Sequence, residues 1–293
     1  MKIYDRKNKT DIEEVVYGDF FVNLAYGSTL GHSLVWSRLS QKLLSHFIGF
    51  YQSTSNSKQR IDKFTQDYSI QMNEFEIPDG GYKSFNDFFI RKLKPKQRPY
   101  PEDVKSFGSP AEGRLSAFEI QNAQSILTIK GYPLSIETLL GSSVHAQKFT
   151  NGYSMVFRLC PVDYHRFHFP DFGIPTESTR LGKNLHSVNP LAQLKVPNVF
   201  LSNERQVSYL ESENFGTLAF IEVGALGVGK IHQSYSPNTR VYRGQEKGYF
   251  SFGGSTVIVL SQQGRLSIEA DILEKSRSGT ESLIRLGEVI GRS

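Results

Sequence analysis

The chain has almost no cysteine: Cys160 stands alone among 293 residues. A single thiol excludes a disulfide framework and any zinc or iron–sulfur site built from several cysteines. Long apolar runs are missing too, and no stretch approaches the roughly 18–20 residues that a membrane-crossing helix needs. The opening residues, Met1 to Asp19, mix both signs of charge and lack the apolar centre of a signal peptide. The expectation is therefore a chain made and kept in the cytosol. Internal repeats, low-complexity tracts and the G-x-S-x-G elbow of an α/β-hydrolase are also absent. What is present is enough apolar material for a core, 38% hydrophobic with 12% aromatic residues. That is too apolar for a disordered chain and too polar for an integral membrane protein. The length allows one large domain or two small ones. A net charge of +5 permits an anionic partner, either nucleic acid or lipid, or a plain solvated surface.

The first third reads as helical. Between Ser33 and Tyr51 the residues Leu34, Leu39, Leu43, Leu44, Phe47 and Ile48 recur close to a 3.6 period. Ser84 and Asp87 resemble a capping box, after which Phe85, Phe88, Phe89 and Leu93 share one helical face. This helix should stop before Pro95. Its end carries the basic residues Arg91, Lys92, Lys94, Lys96 and Arg98. An aromatic face beside a basic cluster suits either the interior or an anionic membrane surface. A phosphate backbone is the third option, but no recognised nucleic-acid motif accompanies it. From about Phe107 the texture changes to short β-prone runs separated by turn signals: Ser125–Lys130, Tyr153–Leu159, Val207–Leu210, Gly216–Val223, Tyr249–Phe252 and Thr256–Leu260. A short helix fits Ser135–Leu140. The expected class is α+β, a helical N-terminal segment followed by a β-rich catalytic or binding domain.

Three places could carry chemistry. Gly224 to Lys230 has the G-x-x-x-x-G-K spacing of a phosphate loop, but Ile231 stands where Ser or Thr should hold magnesium, and no helix pattern follows. A Gly-rich β-turn is the simpler reading. Asp163-Tyr164-His165-Arg166-Phe167-His168 brings two imidazoles close together. A metal site would need a third ligand, and a general base would need an orienting carboxylate and a nucleophile. In Gly253-Gly254-Ser255-Thr256 two glycines enter a β-branched strand, which fits a tight turn. It also fits a serine that attacks its own preceding carbonyl, since Gly254 can take conformations closed to other residues. Elimination from the resulting ester would cut the chain and leave Ser255 as an N-terminal pyruvoyl group.

Taken in order, these segments resemble the phosphatidylserine decarboxylase family. The likeness rests on Gly81 to Pro95, Ser109-Pro110-Ala111-Glu112-Gly113, Asp163 to Pro170, Ser187-Val188-Asn189-Pro190, Asn203-Glu204-Arg205, Val223-Gly224-Ala225, and Lys247 to Phe250 leading into Gly253-Gly254-Ser255-Thr256. The last has the G-G-S-T form of one branch. The resemblance implies a self-cleaving, pyruvoyl-dependent lyase that converts phosphatidylserine to phosphatidylethanolamine and CO2 through a Schiff base. It implies Ser255 as attacking hydroxyl and source of the pyruvoyl group, and cleavage between Gly254 and Ser255. His168 would be the base for cleavage, Glu112 the carboxylate orienting it, and His165 a residue for substrate binding or decarboxylation. No metal or external cofactor is implied. The divisions expected are a helical, membrane-associating region over 1–98 and a β-rich decarboxylase domain over 99–293. Expected partners are phosphatidylserine in an anionic membrane and the two chains of one precursor, with a homodimer left open and no nucleic acid. Membrane attachment would be peripheral, at the cytoplasmic face, through the apolar helix face with basic residues near head groups. The family usually carries aspartate where this chain has Glu112. The second reading is accordingly a homologue that does not process and works as a membrane-surface binding protein. A third is a pyruvoyl decarboxylase of a soluble amine.

Overall fold

The computed structural model describes residues 2–14, 47, 49–122, 126–129, 132–182, 203–224, 230–251 and 255–293. Its strands begin with β1 (Lys2–Asp5), β2 (Thr10–Glu13), β3 (Ser106–Gly108), β4 (Gly113–Glu119), β5 (Ile126–Ile129), β6 (Tyr132–Ser135), β7 (Tyr153–Leu159), β8 (Arg166–His168) and β9 (Gly173–Pro175). They continue with β10 (Thr179–Leu181), β11 (Arg205–Ser212), β12 (Gly216–Val223), β13 (Ile231–Gln233), β14 (Glu246–Phe250), β15 (Ser255–Leu260), β16 (Ser267–Ile268), β17 (Glu281–Ile284) and β18 (Val289–Arg292). Short helices intervene: α1 (Ile61–Asp67), α2 (Phe85–Phe89), α3 (Ile136–Leu140), α4 (Ser143–Gln147) and α5 (Ala270–Arg277).

One broad sheet organises the molecule, in the order β10-β11-β12-β15-β7-β4-β17-β1-β2, with β9 sharing the outer edge of β11. All its pairings are antiparallel except β1 with β17. The central position of β15 follows from its composition. Ser-Thr-Val-Ile-Val-Leu is buried at every residue, as a β-branched run covered on both faces must be. A three-stranded sheet, β13-β14-β8, carries the second imidazole of the His-x-x-His pair. The main core runs along the broad sheet, with Phe157, Phe220, Ile258 and Leu260 among its members.

The beginning of the chain corrects the expectation of a helical N-terminal segment. Residues 2–13 form a β-hairpin, and β1 adds to the broad sheet alongside β17. Ile3 anchors it at 2% exposure. The periodic stretch Ser33–Tyr51 lies outside the described residues except for 47 and 49–51, which are helical. Short helical pieces do follow, at 55–60 and in α1 and α2.

α2 forms where the capping signal stands. The Ser84 hydroxyl accepts from the Asp87 N–H at 3.1 Å, and the Asp87 carboxylate reaches back to the Lys83 N–H at 2.9 Å. The helix stops at Phe89, well before Pro95, because residues 92–94 leave it to bond an extended segment. The Glu76 N–H donates to the Lys92 carbonyl at 2.8 Å and the Lys94 N–H to the Glu74 carbonyl at 2.9 Å. Leu93 consequently bridges Phe75 and does not join the helical face.

The aromatic face of α2 faces inward. Phe85, Phe88 and Phe89 are each 0% exposed and cluster with Phe64 of α1. Phe64 meets Phe85 edge-on with ring centres 5.1 Å apart, a favoured quadrupole geometry. Docking of this face on a membrane is thereby excluded, since α1 already covers it. Its basic neighbours divide. Arg91 is buried and Arg98 pairs with Glu74 and Glu112, whereas Lys92, Lys94 and Lys96 are exposed. Phe88→Ala should lower stability by about 3–5 kcal/mol in urea titrations, by lost burial and an unfilled cavity. Phe50→Ser, at a ring 67% exposed, should change it by no more than about 0.5 kcal/mol. Equal losses would contradict the assigned packing.

Candidate active site

β7 ends at Leu159, and Cys160-Pro161-Val162-Asp163 turns the chain. The Asp163 N–H donates to the Cys160 carbonyl at 2.9 Å, with Pro161 in the position where its fixed φ suits a turn. The Asp163 carboxylate accepts from the Cys160 N–H at 2.6 Å and receives Arg114 Nη1. This closed turn delivers His165 and β8.

The ring of His165 is 0% exposed and lies against Phe89, ring centres 3.8 Å apart. Its Nδ1 is 3.0 Å from the Asp163 carbonyl. A carbonyl only accepts, so Nδ1 carries the proton and Nε2 keeps a lone pair. That Nε2 is buried and has no hydrogen-bond partner. Burial, then the nearby Arg91 charge, push the imidazole down to about 3. It is neutral throughout the physiological range.

His168, at the end of β8, has the same tautomer for the same reason. Its Nδ1 donates to the Gly244 carbonyl at 2.9 Å, leaving Nε2 to accept from the Tyr164 hydroxyl at 3.3 Å. Burial holds this imidazole too below its ordinary value. The His168 N–H donates to the Pro110 carbonyl at 2.8 Å, which ties the motif to the Ser109–Gly113 segment.

Glu112 sits in that segment but is otherwise engaged. It accepts from Arg98 Nε at 2.8 Å and from the Leu286 N–H at 3.3 Å. Among the described residues neither ring nitrogen of His168 bonds Glu112. The orienting contact expected of this carboxylate is made by the Gly244 carbonyl. The physical reason is Arg98, whose guanidinium bridges Glu112 and Glu74 and offers the carboxylate a charged partner. The adjoining Gly113 has a packing reason. A Cβ there would come within 2.6 Å of the Arg158 carbonyl oxygen on β7.

Ser255 is the first residue of β15 and is 0% exposed. It pairs with Leu159, the residue from which the turn to His165 departs. From the other side, the Phe250 N–H donates to the His165 carbonyl at 3.0 Å. The turn to His165 thus leaves from the β7 residue that Ser255 pairs with, and the His165 backbone also bonds the end of β14. The Ser255 hydroxyl is buried without a hydrogen-bond partner. Gly254 lies outside the described residues, as does Gly253. The phosphate-loop spacing has no support: Gly224 and Lys230 flank residues outside the described set, and Ile231 leads into β13, a strand and not a helix.

Two buried charge systems beside these residues had no role assigned from sequence. Lys247, in the K-G-Y-F segment, is 0% exposed. Its ammonium contacts the Glu222 carboxylate at 2.8 Å and Gln233 at 3.0 Å. Phe167, Phe169, Phe220 and Tyr235 surround it with ring centres 5.0–6.0 Å away. The pair fastens β14 to β12. On the other flank Arg114 and Arg158 share Glu14, and Arg158 also grips Glu281. A charged residue inside an otherwise apolar strand, as in Tyr-Ser-Met-Val-Phe-Arg-Leu, is the one available sequence signal for such a network.

Neutral imidazoles with free or weakly capped lone pairs, and a buried serine hydroxyl that lacks a partner, are residue types of an acid–base catalytic centre. The molecule is thus of the enzyme class, with its centre on a β-sheet scaffold. Among the described residues no group of three or more His, Cys, Asp and Glu could hold a metal ion. A family model described as phosphatidylserine decarboxylase matches residues 85–292. A phosphatidylserine decarboxylase proenzyme of Clostridium botulinum (strain Langeland) is 44% identical over 292 residues, covering 99% of both chains. Proenzymes of the same name from Clostridium novyi and Clostridium beijerinckii are 40% and 41% identical, with 99% of this chain covered in each case. The chain belongs to the phosphatidylserine decarboxylase family.

Two consequences can be measured. Lys247→Met should cost about 3–5 kcal/mol, because Glu222 would be left as an uncompensated buried charge. Adding Glu222→Gln should recover part of that loss; no recovery would contradict the pairing. The second concerns pH. His165 binds its proton readily only after unfolding, since its folded value lies near 3 and its unfolded value near 6.5. Below about pH 6.5 the unfolded state therefore takes up a proton that the folded state refuses. The stability from this group is complete above that pH and is lost as pH falls toward 3. The drop in urea midpoint between pH 7 and pH 5 should shrink in His165→Gln; an unchanged drop would show that His165 does not drive it.

Proposed function

We propose that this chain is a proenzyme that cleaves itself between Gly254 and Ser255 and then decarboxylates phosphatidylserine, yielding phosphatidylethanolamine and CO2. The observation that carries the reading is the buried, partnerless Ser255 hydroxyl at the head of β15. Burying a hydroxyl without a hydrogen bond costs free energy; Ser154, Thr256 and Ser282 carry the same cost inside their strands, and Ser255 differs from them in being the first residue of its strand, directly after Gly253-Gly254. Full-length relatives named as proenzymes support the same reading.

The proton ledger of cleavage is short. His168 Nε2 takes the Ser255 hydroxyl proton, and Oγ adds to the Gly254 carbonyl carbon. The peptide C–N bond then breaks as the Ser255 amine leaves with that proton, giving an ester. Loss of the Ser255 Cα proton expels Gly254 as a carboxylate. Tautomerisation and hydrolysis by one water then release ammonia and leave a pyruvoyl group on residue 255. The site fits that group: its three carbons are the Cβ, Cα and carbonyl carbon of Ser255 itself, a buried residue paired with Leu159 on β7. When present, the group supplies a carbonyl that joins the substrate amine and accepts the electron pair released with CO2. His165, with a neutral and unpaired Nε2, binds substrate polar atoms or handles the proton of that step. Glu112 acts at a distance, through Arg98 and the backbone of its segment.

Membrane access is peripheral in this proposal, at the cytoplasmic face. No helix among the described residues is long and apolar enough to cross a bilayer. Phe47, Phe50 and Tyr51, exposed by 66%, 67% and 49%, replace the α2 face as the apolar contact. Anionic head groups complement the net charge of +5.

The purified wild type should run as two chains, residues 1–254 and 255–293, with the small chain lighter by one ammonia than its serine form. A single intact 33.1 kDa band would sink the reading. Ser255→Ala and His168→Ala should both stay intact. His165→Ala should cleave yet lose most of its release of CO2 from phosphatidylserine.

A further inference from the structure

We infer that Arg91, in the Phe-Phe-Ile-Arg segment after α2, is a positioning residue for His165: its guanidinium fixes the carbonyl that sets the imidazole's orientation and tautomer. This rests on the decarboxylase reading above and adds a residue to it.

Arg91 is 2% exposed, an uncommon place for a guanidinium. Its Nη2 donates to the Val162 carbonyl at 2.8 Å and to the Asp163 carbonyl at 3.1 Å. The Asp163 oxygen is the same atom that accepts from His165 Nδ1. A carbonyl has two lone pairs, and here one faces the guanidinium and the other the imidazole. The cation is housed between the Phe75 and Phe88 rings, with centroids at 4.5 and 4.7 Å. Burial pushes Arg91 down to about 10, so it remains charged at neutral pH.

The grip is reciprocal. Arg166, the first residue of β8, donates back to the segment that carries Arg91. Its Nε and Nη2 reach the Ile90 carbonyl at 2.9 and 2.6 Å, and Nε also reaches the Arg91 carbonyl at 3.3 Å. Each arginine thus binds the backbone of the other's segment, and Phe89 closes the clasp against the His165 ring. A lysine would bring one charge but not the planar group that lies between the two rings while Nη2 takes both carbonyls and Nη1 faces the Phe88 carbonyl.

The arrangement does more than hold two segments together. The groups that bear on His165 are the Arg91 and Arg114 cations, which oppose its protonation, and the Asp163 carbonyl, which favours it. The Asp163 carboxylate is occupied by Arg114 and the Cys160 N–H. Arg91 therefore influences His165 twice, by geometry through the carbonyl and by charge.

The test uses the full chain as wild type, Arg91→Lys and Arg91→Met. Cleavage is read on a gel, and CO2 release from phosphatidylserine in mixed micelles is read across pH. Arg91→Met should still cleave, because Ser255 and His168 are untouched. Its acid limb of activity should move up by about one pH unit or more, since a like charge beside the imidazole is gone. Arg91→Lys keeps the charge and should keep the limb, but lose about tenfold in rate as the planar group that holds Nη2 on the Asp163 carbonyl is lost. An active Arg91→Met with an unmoved limb overturns the inference. So does Arg91→Lys at the wild-type rate, whether or not the methionine variant accumulates. A wild type that neither cleaves nor releases CO2 overturns the parent reading instead.

Discussion

β15 lies between β12 and β7, and its first residue is Ser255. The register of that strand governs the rest. Pairing Ser255 with Leu159 sets the serine where β7 gives way to the turn that carries His165. Pairing Thr256 with Val223 on the other side leaves Ser255 one residue beyond the end of β12. The serine is buried with the strand and is its first residue, directly after Gly254, whose carbonyl the proposed cleavage attacks. A one-residue slip would exchange the faces of the strand and put Thr256 in its place.

The same register bears on the cut proposed at 254–255. Residues after the cut supply β15 inside the broad sheet and β17 between β4 and β1. They also supply β18, which pairs with β3. Two chains cut there would stay interleaved through backbone hydrogen bonds and a common core, so the proposed cleavage would change a covalent bond and not the architecture. The β1–β2 hairpin reinforces this, since β1 from the start of the chain seals β17 from near its end. Glu14, directly after the hairpin, meets Arg158 on β7, and Arg158 meets Glu281 at the start of β17. Buried ion pairs of this kind add little net stability, but breaking one partner is costly, and they permit few alternative packings.

Much of the β-rich part was legible because its signals are local. The runs Tyr153–Leu159 and Gly216–Val223 became β7 and β12 with those bounds, and the short helix expected over Ser135–Leu140 became α3. The N-terminal hairpin was not legible. Lys-Ile-Tyr-Asp and Thr-Asp-Ile-Glu are short, polar and mostly exposed, and the partner that makes them strands begins at Glu281. The aromatic face of α2 was visible as a pattern but not as a destination. Periodicity is the same whether a face meets lipid or protein, and Phe64 decided it. At the site, residue types and order identified Ser255, His165 and His168 as candidates. The pairing of Glu112 with Arg98 was hidden because it depends on where Glu74 and Arg98 come together in space. The tautomers were hidden for a similar reason, since backbone carbonyls at Asp163 and Gly244 fix them and carbonyls have no sequence signature.

The matched family region begins at Phe85, the first residue of α2, far upstream of the β-rich catalytic strands. A helix of five residues has little intrinsic stability and contributes no strand to any sheet. Its value lies in its position. Phe89 meets the His165 ring, Arg91 takes the carbonyls of 162 and 163, and Arg166 takes the carbonyls of 90 and 91. A division of function at residue 98 would separate those partners. The contacts join Phe89 and Arg91 to His165 and the turn before it, so the α2 segment packs on the same body as that turn. The apolar face that resembles a membrane anchor is then the packing by which that segment is held, with Phe64 beneath it and the His165 loop above.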